Sequence, residues 1–330
     1  MIMDDRGCAS GAETGHCAVL SRPSPRLKLE LILEKCSDFA DFQVWPLRAR
    51  MDPRVWLKNF DEADQELAHH LLNAFMFFSS DLTAQLFTTA IQNLSTSRRW
   101  RERRSGNVFE EWRKFLQRLT VTHVTGEIPK ATDSGQFVTR LARDRVGIAE
   151  EQILSPAEAL SRRLLKGDDG PLIFVDDFMG SGEQFMSTWR QRHLVGGKRV
   201  SFADVAVRSS DPLADWEIYF VPAVCTSRGL GVLAAECPLV EVSAGNVLDE
   251  KYSVFHENSI VWPEELAERG RGMIERVSGR LRLPEDGDKW DYRGFRRQGL
   301  AIGFDHKIPD ATIPLFRLNR DEWKPLVRGA

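Results

Sequence analysis

The segment 171–189, PLIFVDDFMGSGEQFMSTW, constrains the fold more than any other part of the chain. Its apolar run at 172–175 has the composition of a central strand buried on both faces, and two acids, Asp176 and Asp177, follow directly. A Gly-Ser-Gly turn at 180–182 then leads into a predicted helix. A buried strand that passes through a glycine turn into a helix is typical of a parallel sheet with helices on both faces.

The residues at the end of this strand also predict a ligand. In an open parallel sheet the ligand lies beyond the carboxyl ends of the strands, where Asp176 and Asp177 would sit. Two carboxylates can accept hydrogen bonds from a sugar diol, and the glycine turn with its helix N-terminus can hold an anion such as phosphate. A competing interpretation needs no ligand, because Ser181 and Gln184 fit an S-x-x-Q capping box.

The rest of the chain divides into a helical part and an alternating part. Residues 27–42 and 53–94 have apolar positions at helical spacing, with Asp52 and Pro53 suited to a helix start. From Leu119 onward, predicted strands at 119–127, 172–175, 199–207, 217–224 and 300–304 alternate with predicted helices, including 184–194 and 263–280. We therefore predict a tail and leading helix at 1–50, a helical or winged-helix-like module at 51–117, and an α/β domain at 118–330.

Composition excludes several classes of protein. The chain has 330 residues, 42% of them hydrophobic, and a net charge of -3, so bulk charge indicates no particular partner. Its five cysteines form no CxxC pair, which argues against a zinc knuckle or a disulfide framework. The absence of GxxxxGK[ST], HExxH and GxSxG argues against a P-loop ATPase, a zinc hydrolase and a serine hydrolase. No apolar run suits a membrane span, and we expect a cytoplasmic protein with no membrane partner.

The segment IFVDDFMGSGEQF resembles the phosphoribosyl diphosphate (PRPP) signature of type I phosphoribosyltransferases. The resemblance implies that Asp176 and Asp177 are the catalytic acids, facing the ribose 2- and 3-hydroxyls, and that Mg²⁺ binds together with the ligand. Gln184 stands where that family usually has a threonine. The substrate-binding residues implied in this segment are Phe178, Met179, Gly180, Ser181, Gly182, Glu183 and Gln184.

Three other segments, DPRVWLKNF, VTGEIPKATDSG and FDHKIPDATIPLF, resemble a divergent bacterial group of phosphoribosyltransferase-like effectors. That group carries an N-terminal helical or winged-helix module and is associated with anti-phage systems, including retrons. The resemblance implies a toxin acting on the N-glycosidic bond of a nucleotide or ribose phosphate. It also implies PRPP or a nucleotide as ligand and a reverse transcriptase with its RNA or DNA product as partner, and it leaves self-association open. The alternative is a non-catalytic PRPP or nucleotide sensor, or a nucleic-acid-binding regulator.

Further candidate residues lie outside the strand-turn-helix segment. In the transferase fold the loop after the first strand contacts diphosphate, and here that loop contains Gly126, Glu127, Lys130, Asp133 and Ser134. His306 could contact a base or transfer a proton. The arginines at 140, 143 and 145 could neutralise diphosphate, or could form ordinary surface pairs. A basic run around an aromatic could bind nucleic acid, or could be a charged helix end; its members are Arg98, Arg99, Trp100, Arg101, Arg103 and Arg104.

Overall fold

The computed structural model describes residues 29–46, 49–97, 106–125, 134–208 and 216–328. The helices in these residues are α1 (Leu29–Asp41), α2 (Pro53–Leu57), α3 (Gln65–Ala74), α4 (Ser80–Asn93), α5 (Val108–Arg118), α6 (Ser134–Leu141), α7 (Pro156–Lys166), α8 (Glu183–Arg190), α9 (Phe202–Arg208), α10 (Ser227–Glu236) and α11 (Ala267–Arg280). The strands are β1 (Met76–Phe78), β2 (Thr120–His123), β3 (Leu172–Met179), β4 (His193–Val195), β5 (Lys198–Val200), β6 (Ile218–Thr226), β7 (Val240–Val242), β8 (Asn246–Leu248) and β9 (Ile302–Phe304).

A parallel sheet forms the centre of the fold, in the order β2-β3-β6-β7, with β8 pairing alongside the last residues of β6. Every residue of β3 and β6 is buried, as the apolar run predicts for central strands covered on both faces. Helices α4, α5 and α6 pack on one face of the sheet, and α7, α8, α9 and α10 pack on the other. The predicted α/β class with a parallel sheet is confirmed.

The N-terminal helices share a core with the C-terminal part of the chain. Side chains from α1, α2 and α3 pack with α11 and with residues up to 327 in one hydrophobic cluster. Within it the Trp56 and Phe316 rings stack with centroids 5.3 Å apart, and the Trp56 indole N–H donates to the Leu315 carbonyl at 2.8 Å. Because α4 and α5 pack on the central sheet, the helices of 51–117 have no separate core among the described residues.

Strand β1 also joins the N-terminal part of the chain to its C-terminal part, through backbone pairing. It pairs in parallel with β9, more than 220 residues later, with Met76 opposite Ile302. β1 is the one strand in the described part of 51–117, so that part contains no wing hairpin. The last predicted strand, 300–304, therefore exists but joins β1 and not the central sheet.

Local side chains explain where several helices begin. Asp52 accepts a hydrogen bond from the Val55 amide at 3.1 Å at the start of α2, as expected for a helix cap before proline. Ser155 and Glu158 form a reciprocal capping box at the start of α7.

Among the described residues, no helix has both the length and the apolar composition that crossing a bilayer requires.

Two predicted elements around residues 184–207 are wrong in extent. Helix α8 ends at Arg190, and β4 and β5 then form an antiparallel hairpin around Gly196 and Gly197, both at positive φ. The strand predicted at 199–207 is instead the short β5 followed by α9. The cause is local: Ser201 and Asp204 exchange hydrogen bonds at 3.1 Å and start a helix at the next residue.

Candidate functional site

Strand β3 continues through both acids to Met179, so Asp176 and Asp177 lie within the strand and not after it. Successive side chains of a strand point to opposite faces of the sheet. Asp176 accordingly lines an open cleft beside the strand end, and Asp177 contacts residues that follow β9. The two acids therefore have different surroundings, although the sequence analysis assigns them one shared role.

Asp177 is completely buried and is held by two basic side chains. His306 Nε2 lies 2.5 Å from Asp177 Oδ2, and Lys307 Nζ lies 3.0 Å from Asp177 Oδ1. Burial alone would raise the pKa of Asp177, but the Lys307 ammonium and the His306 hydrogen bond hold it well below its ordinary value. Asp177 is thus an ionised carboxylate with both oxygens engaged.

Asp176 is 2% exposed and has the opposite character. Its Oδ1 accepts a hydrogen bond from the Asp177 amide at 2.9 Å. Burial, and then the negative charge of Asp177, raise the pKa of Asp176 well above its ordinary value. The pKa of Lys307 is raised, because the two acids outweigh the effect of burial. The pKa values of the two acids are therefore shifted in opposite directions, and the Lys307 ammonium lies against the acid whose pKa is lowered.

The cleft has a volume of about 490 Å³ and lies between two walls. The first wall is the end of β3 with the turn and the start of α8, and it contains Asp176 and all seven predicted residues from Phe178 to Gln184. The second wall comes from the C-terminal part of the chain and consists of Asp288, Lys289, Phe295, Gln298, Lys307, Ile308, Pro309, Asp310 and Ala311. Asp177 and His306 do not line this cleft and lie behind it.

The turn between β3 and α8 has a constrained backbone. Gly182 is the N-cap of α8 and has φ +82°, and a Cβ there would lie 2.8 Å from Leu233 Cδ1. The Thr226 hydroxyl donates to the Gly180 carbonyl at 2.6 Å and so ties the turn to the end of β6. The first amides of α8 have no partner within the helix, which suits them to an anion.

The capping box considered for Ser181 and Gln184 does not form. The N-cap is Gly182, which has no side chain to cap the helix. Ser181 Oγ instead accepts from the Glu183 amide at 3.4 Å, and Gln184 is exposed at the cleft. The hydrogen bonds on which the capping-box interpretation of Ser181 and Gln184 depends are therefore not formed.

We expect Gly182→Ala to destabilise the protein by about 1–3 kcal/mol, because alanine at positive φ is strained and its Cβ would meet Leu233. Denaturant unfolding measures this change. Gly197→Ala is the matched control, since Gly197 has φ +79° and no atom within 4 Å of a Cβ. Equal losses for the two variants would show that the contact with Leu233 has no effect.

The second wall and the residues next to it hold functional candidates that the sequence did not indicate. Arg296 makes two hydrogen bonds to Glu183, at 2.6 and 3.0 Å, across the edge of the turn. The side-chain amide of Gln298 lies against Gly180 and donates to the Phe295 carbonyl at 3.3 Å. Lys307 had one available signal, its place beside His306 in FDHKIPD. The others come from loops whose position only the tertiary structure decides.

Several predicted residues fall outside the part of the chain that the structure describes. These are Gly126, Glu127, Lys130 and Asp133, together with the basic run Arg98, Arg99, Trp100, Arg101, Arg103 and Arg104. Ser134 begins α6, and its side chain is likewise not described. Of the arginines considered for diphosphate, Arg143 pairs with Asp144 and Glu150 and Arg145 pairs with Asp81, all on the surface.

The resemblance to type I phosphoribosyltransferases implies that Mg²⁺ binds together with the ligand. The described residues contain no grouping of three or more histidine, cysteine or acidic side chains that could hold a metal ion. Mg²⁺ needs one or two carboxylates in addition to ligand phosphates. Because Lys307 and His306 occupy both oxygens of Asp177, only Asp176 of the pair is available. These donors do not fit a magnesium site shared by the two acids.

A protein-family model matches most of this chain. Residues 53–328 match the model of the PRTase-CE family, so the match covers both the N-terminal helices from α2 onward and the C-terminal wall of the cleft. None of the curated proteins matches the sequence.

Proposed function

The chain belongs to the PRTase-CE family, which is phosphoribosyltransferase-like, and from this premise we propose that the cleft binds a ribose 5-phosphate group. The observation that carries the proposal is that one cleft brings together Asp176, the glycine turn and the start of α8. A carboxyl group and a set of backbone amides at one strand end match the two halves of a sugar phosphate.

The phosphate would bind at residues 180–184. The amides of the first turn of α8 point out of the helix end, where the helix dipole favours a negative charge. Lys289 and Lys307 line the same cleft and add positive charge. The glycines allow the backbone to approach the phosphate closely, and the Thr226 bond to Gly180 keeps the turn in place before the ligand arrives.

The ribose would bind next to the phosphate, against Asp176. Burial and the charge of Asp177 disfavour ionisation of Asp176 in the empty cleft, whereas hydrogen bonds donated by the sugar hydroxyls would favour it, because they stabilise the charged form of the carboxyl group. The ionised form then faces the ring. A carboxylate there would stabilise the positive charge that develops at C1 when an N-glycosidic bond forms or breaks.

The reaction that we propose is therefore formation or cleavage of an N-glycosidic bond at C1 of a ribose phosphate or nucleotide. The leaving group departs as an anion or a neutral base, and lysine side chains in the cleft would stabilise negative charge on it. The defence role is part of the proposal and comes from the resemblance to retron-associated effectors. In that setting turnover would deplete or modify a nucleotide and so stop growth.

A second candidate function is a sensor that binds PRPP or a nucleotide without turnover. The observation that favours it is that Asp177, the second acid of the signature, is already bound by His306 and Lys307. Gln184, in place of the usual threonine, also departs from a working phosphate loop. In such a protein, ligand binding would regulate a partner or a nucleic-acid contact.

Titration calorimetry with PRPP and ribose 5-phosphate, combined with chromatography of nucleotides incubated with the protein, tests both candidates. Binding together with a released base or a new nucleotide supports the enzyme, and we expect this result. Binding with unchanged nucleotides supports the sensor. If neither ligand binds, both candidates are rejected. Growth arrest on expression would support the defence role, and unimpaired growth despite turnover in vitro would contradict it.

A further inference from the structure

Lys307 touches a buried acid and also borders the ligand space. Its ammonium lies 3.0 Å from Asp177 Oδ1, its side chain is 33% exposed, and it lines the cleft together with Asp176. Asp177 is fully buried on the far side of this contact. One positive charge is therefore placed between the buried carboxylate and the position proposed for the ligand.

A divalent cation at this point would have to displace that ammonium. Taking Lys307 away from Asp177 would separate a buried ion pair, which is costly. The oxygen ligands that Mg²⁺ would need are also scarce, because it demands near-octahedral oxygen coordination. Of the other acids that line the cleft, Glu183 is bound by Arg296 and Asp310 is bound by Arg317 at 2.5 Å. Asp288 is the third, and the described residues bring no three such side chains together in a group that could hold a metal ion.

We propose that Lys307 takes the place of the divalent cation at the acid pair, so that this chain binds a ribose phosphate without Mg²⁺. The inference rests on the proposed function, because it concerns how the same cleft compensates its acids. An ammonium is a compact point charge that attracts a ligand anion from any direction. Lys307 can therefore serve Asp177 and the ligand from one position.

The proposal makes the lysine and the metal interchangeable. Without Lys307, His306 is the basic partner that Asp177 keeps among the described residues, and the two acids gain an unbalanced negative charge next to the cleft. Such a pair of carboxylates, with phosphate oxygens from the ligand, has the chemistry that Mg²⁺ prefers. A variant without the lysine should therefore acquire a requirement for Mg²⁺ that the natural chain lacks.

The experiment is calorimetric titration of the full chain with ribose 5-phosphate, in excess EDTA and in millimolar MgCl₂. We expect the natural chain to bind equally well in both buffers. Lys307→Met should lose affinity roughly tenfold or more in EDTA, and MgCl₂ should restore it. Lys307→Arg keeps the charge and should not respond to MgCl₂. Lys289→Met is the matched control, because Lys289 lines the same cleft and has no ion pair with either acid of β3.

The outcomes separate this inference from the proposed function. If the natural chain binds in neither buffer, the proposed function fails. If it binds only with MgCl₂, the inference is overturned while the proposed function stands. Equal weakening of Lys307→Met and Lys289→Met in both buffers would also overturn it, because Lys307 would then be an ordinary cleft lysine. If thermal unfolding shows that Lys307→Met does not fold, the binding of ribose 5-phosphate by the natural chain in EDTA is the measurement that tests the inference.

Discussion

Asp177→Asn is expected to lower the free energy of unfolding by about 3 kcal/mol at neutral pH. The substitution removes the charge that balances Lys307 and weakens the bond to His306, both of which reach Asp177 from the segment after β9. The expected loss is near the lower end of the range of free energies for a broken buried ion pair, because the Lys307 side chain is 33% exposed and can recover some hydration. Urea unfolding at equilibrium measures the change.

Asp305, which precedes His306 in the chain, provides the control for this variant. Asp305 pairs with Arg50 at 3.3 Å, and both side chains are partly exposed, so Asp305→Asn should cost about 1 kcal/mol or less. Equal losses for Asp177→Asn and Asp305→Asn would contradict a buried ion pair at Asp177.

The effect of Asp177→Asn should depend on pH in a defined direction. The pKa of Asp177 is lowered in the folded protein, so its contribution is complete above the unfolded-state value of about 3.9. That contribution is lost as the pH falls from there towards the folded-state value. The stability difference between the natural chain and Asp177→Asn should therefore be constant above about pH 5 and narrow below about pH 4.

Asp176→Asn is expected to have the opposite combination of effects. Turnover should fall by about 100-fold in kcat/KM, or ribose 5-phosphate affinity should fall about tenfold if the site only binds. Stability at neutral pH should be unchanged or higher, because an amide replaces a carboxyl group whose ionisation burial and the charge of Asp177 disfavour. Titration calorimetry and urea unfolding of the same preparation measure both quantities.

The pH dependence of this second variant also has a definite sign. The raised pKa of Asp176 means that the folded protein holds a proton that the unfolded chain releases above about pH 3.9. The resulting cost to the natural chain grows as the pH rises through this window, and the amide removes it. The stability advantage of Asp176→Asn should thus increase from about pH 4 upward.

Asp169→Asn is the control for function, since Asp169 is exposed, pairs with Arg118 and lies near the opposite end of β3. Asp169→Asn should bind ribose 5-phosphate with the affinity of the natural chain and show the same turnover. Unchanged affinity and turnover in Asp176→Asn would contradict the assignment of the cleft as the ligand-binding site.

Local sequence was enough to predict the central elements of the fold. The continuous apolar runs of β3 and β6 and the cap at Asp52 each depend on a few neighbouring residues. The short strands β7 and β8 were missed, because three residues carry no usable periodicity. The N-terminal helices were predicted, but their shared core with α11 was not, since periodicity identifies a buried face and not its partner.

One side of the candidate site could likewise be predicted from local sequence, and the other side could not. The strand, the glycine turn and the start of α8 are contiguous in sequence, so their side of the cleft could be predicted from the residues alone. The partners of Asp177 are 129 and 130 positions away, and only the packing of the segment after β9 brings them to the acid. The sequence by itself therefore determined that two adjacent acids lie where a buried strand approaches a glycine turn. The tertiary structure decided which acid faces the cleft and which acid is bound by basic side chains. The pKa of each acid depends on neighbours that only folding of the chain brings within hydrogen-bond distance.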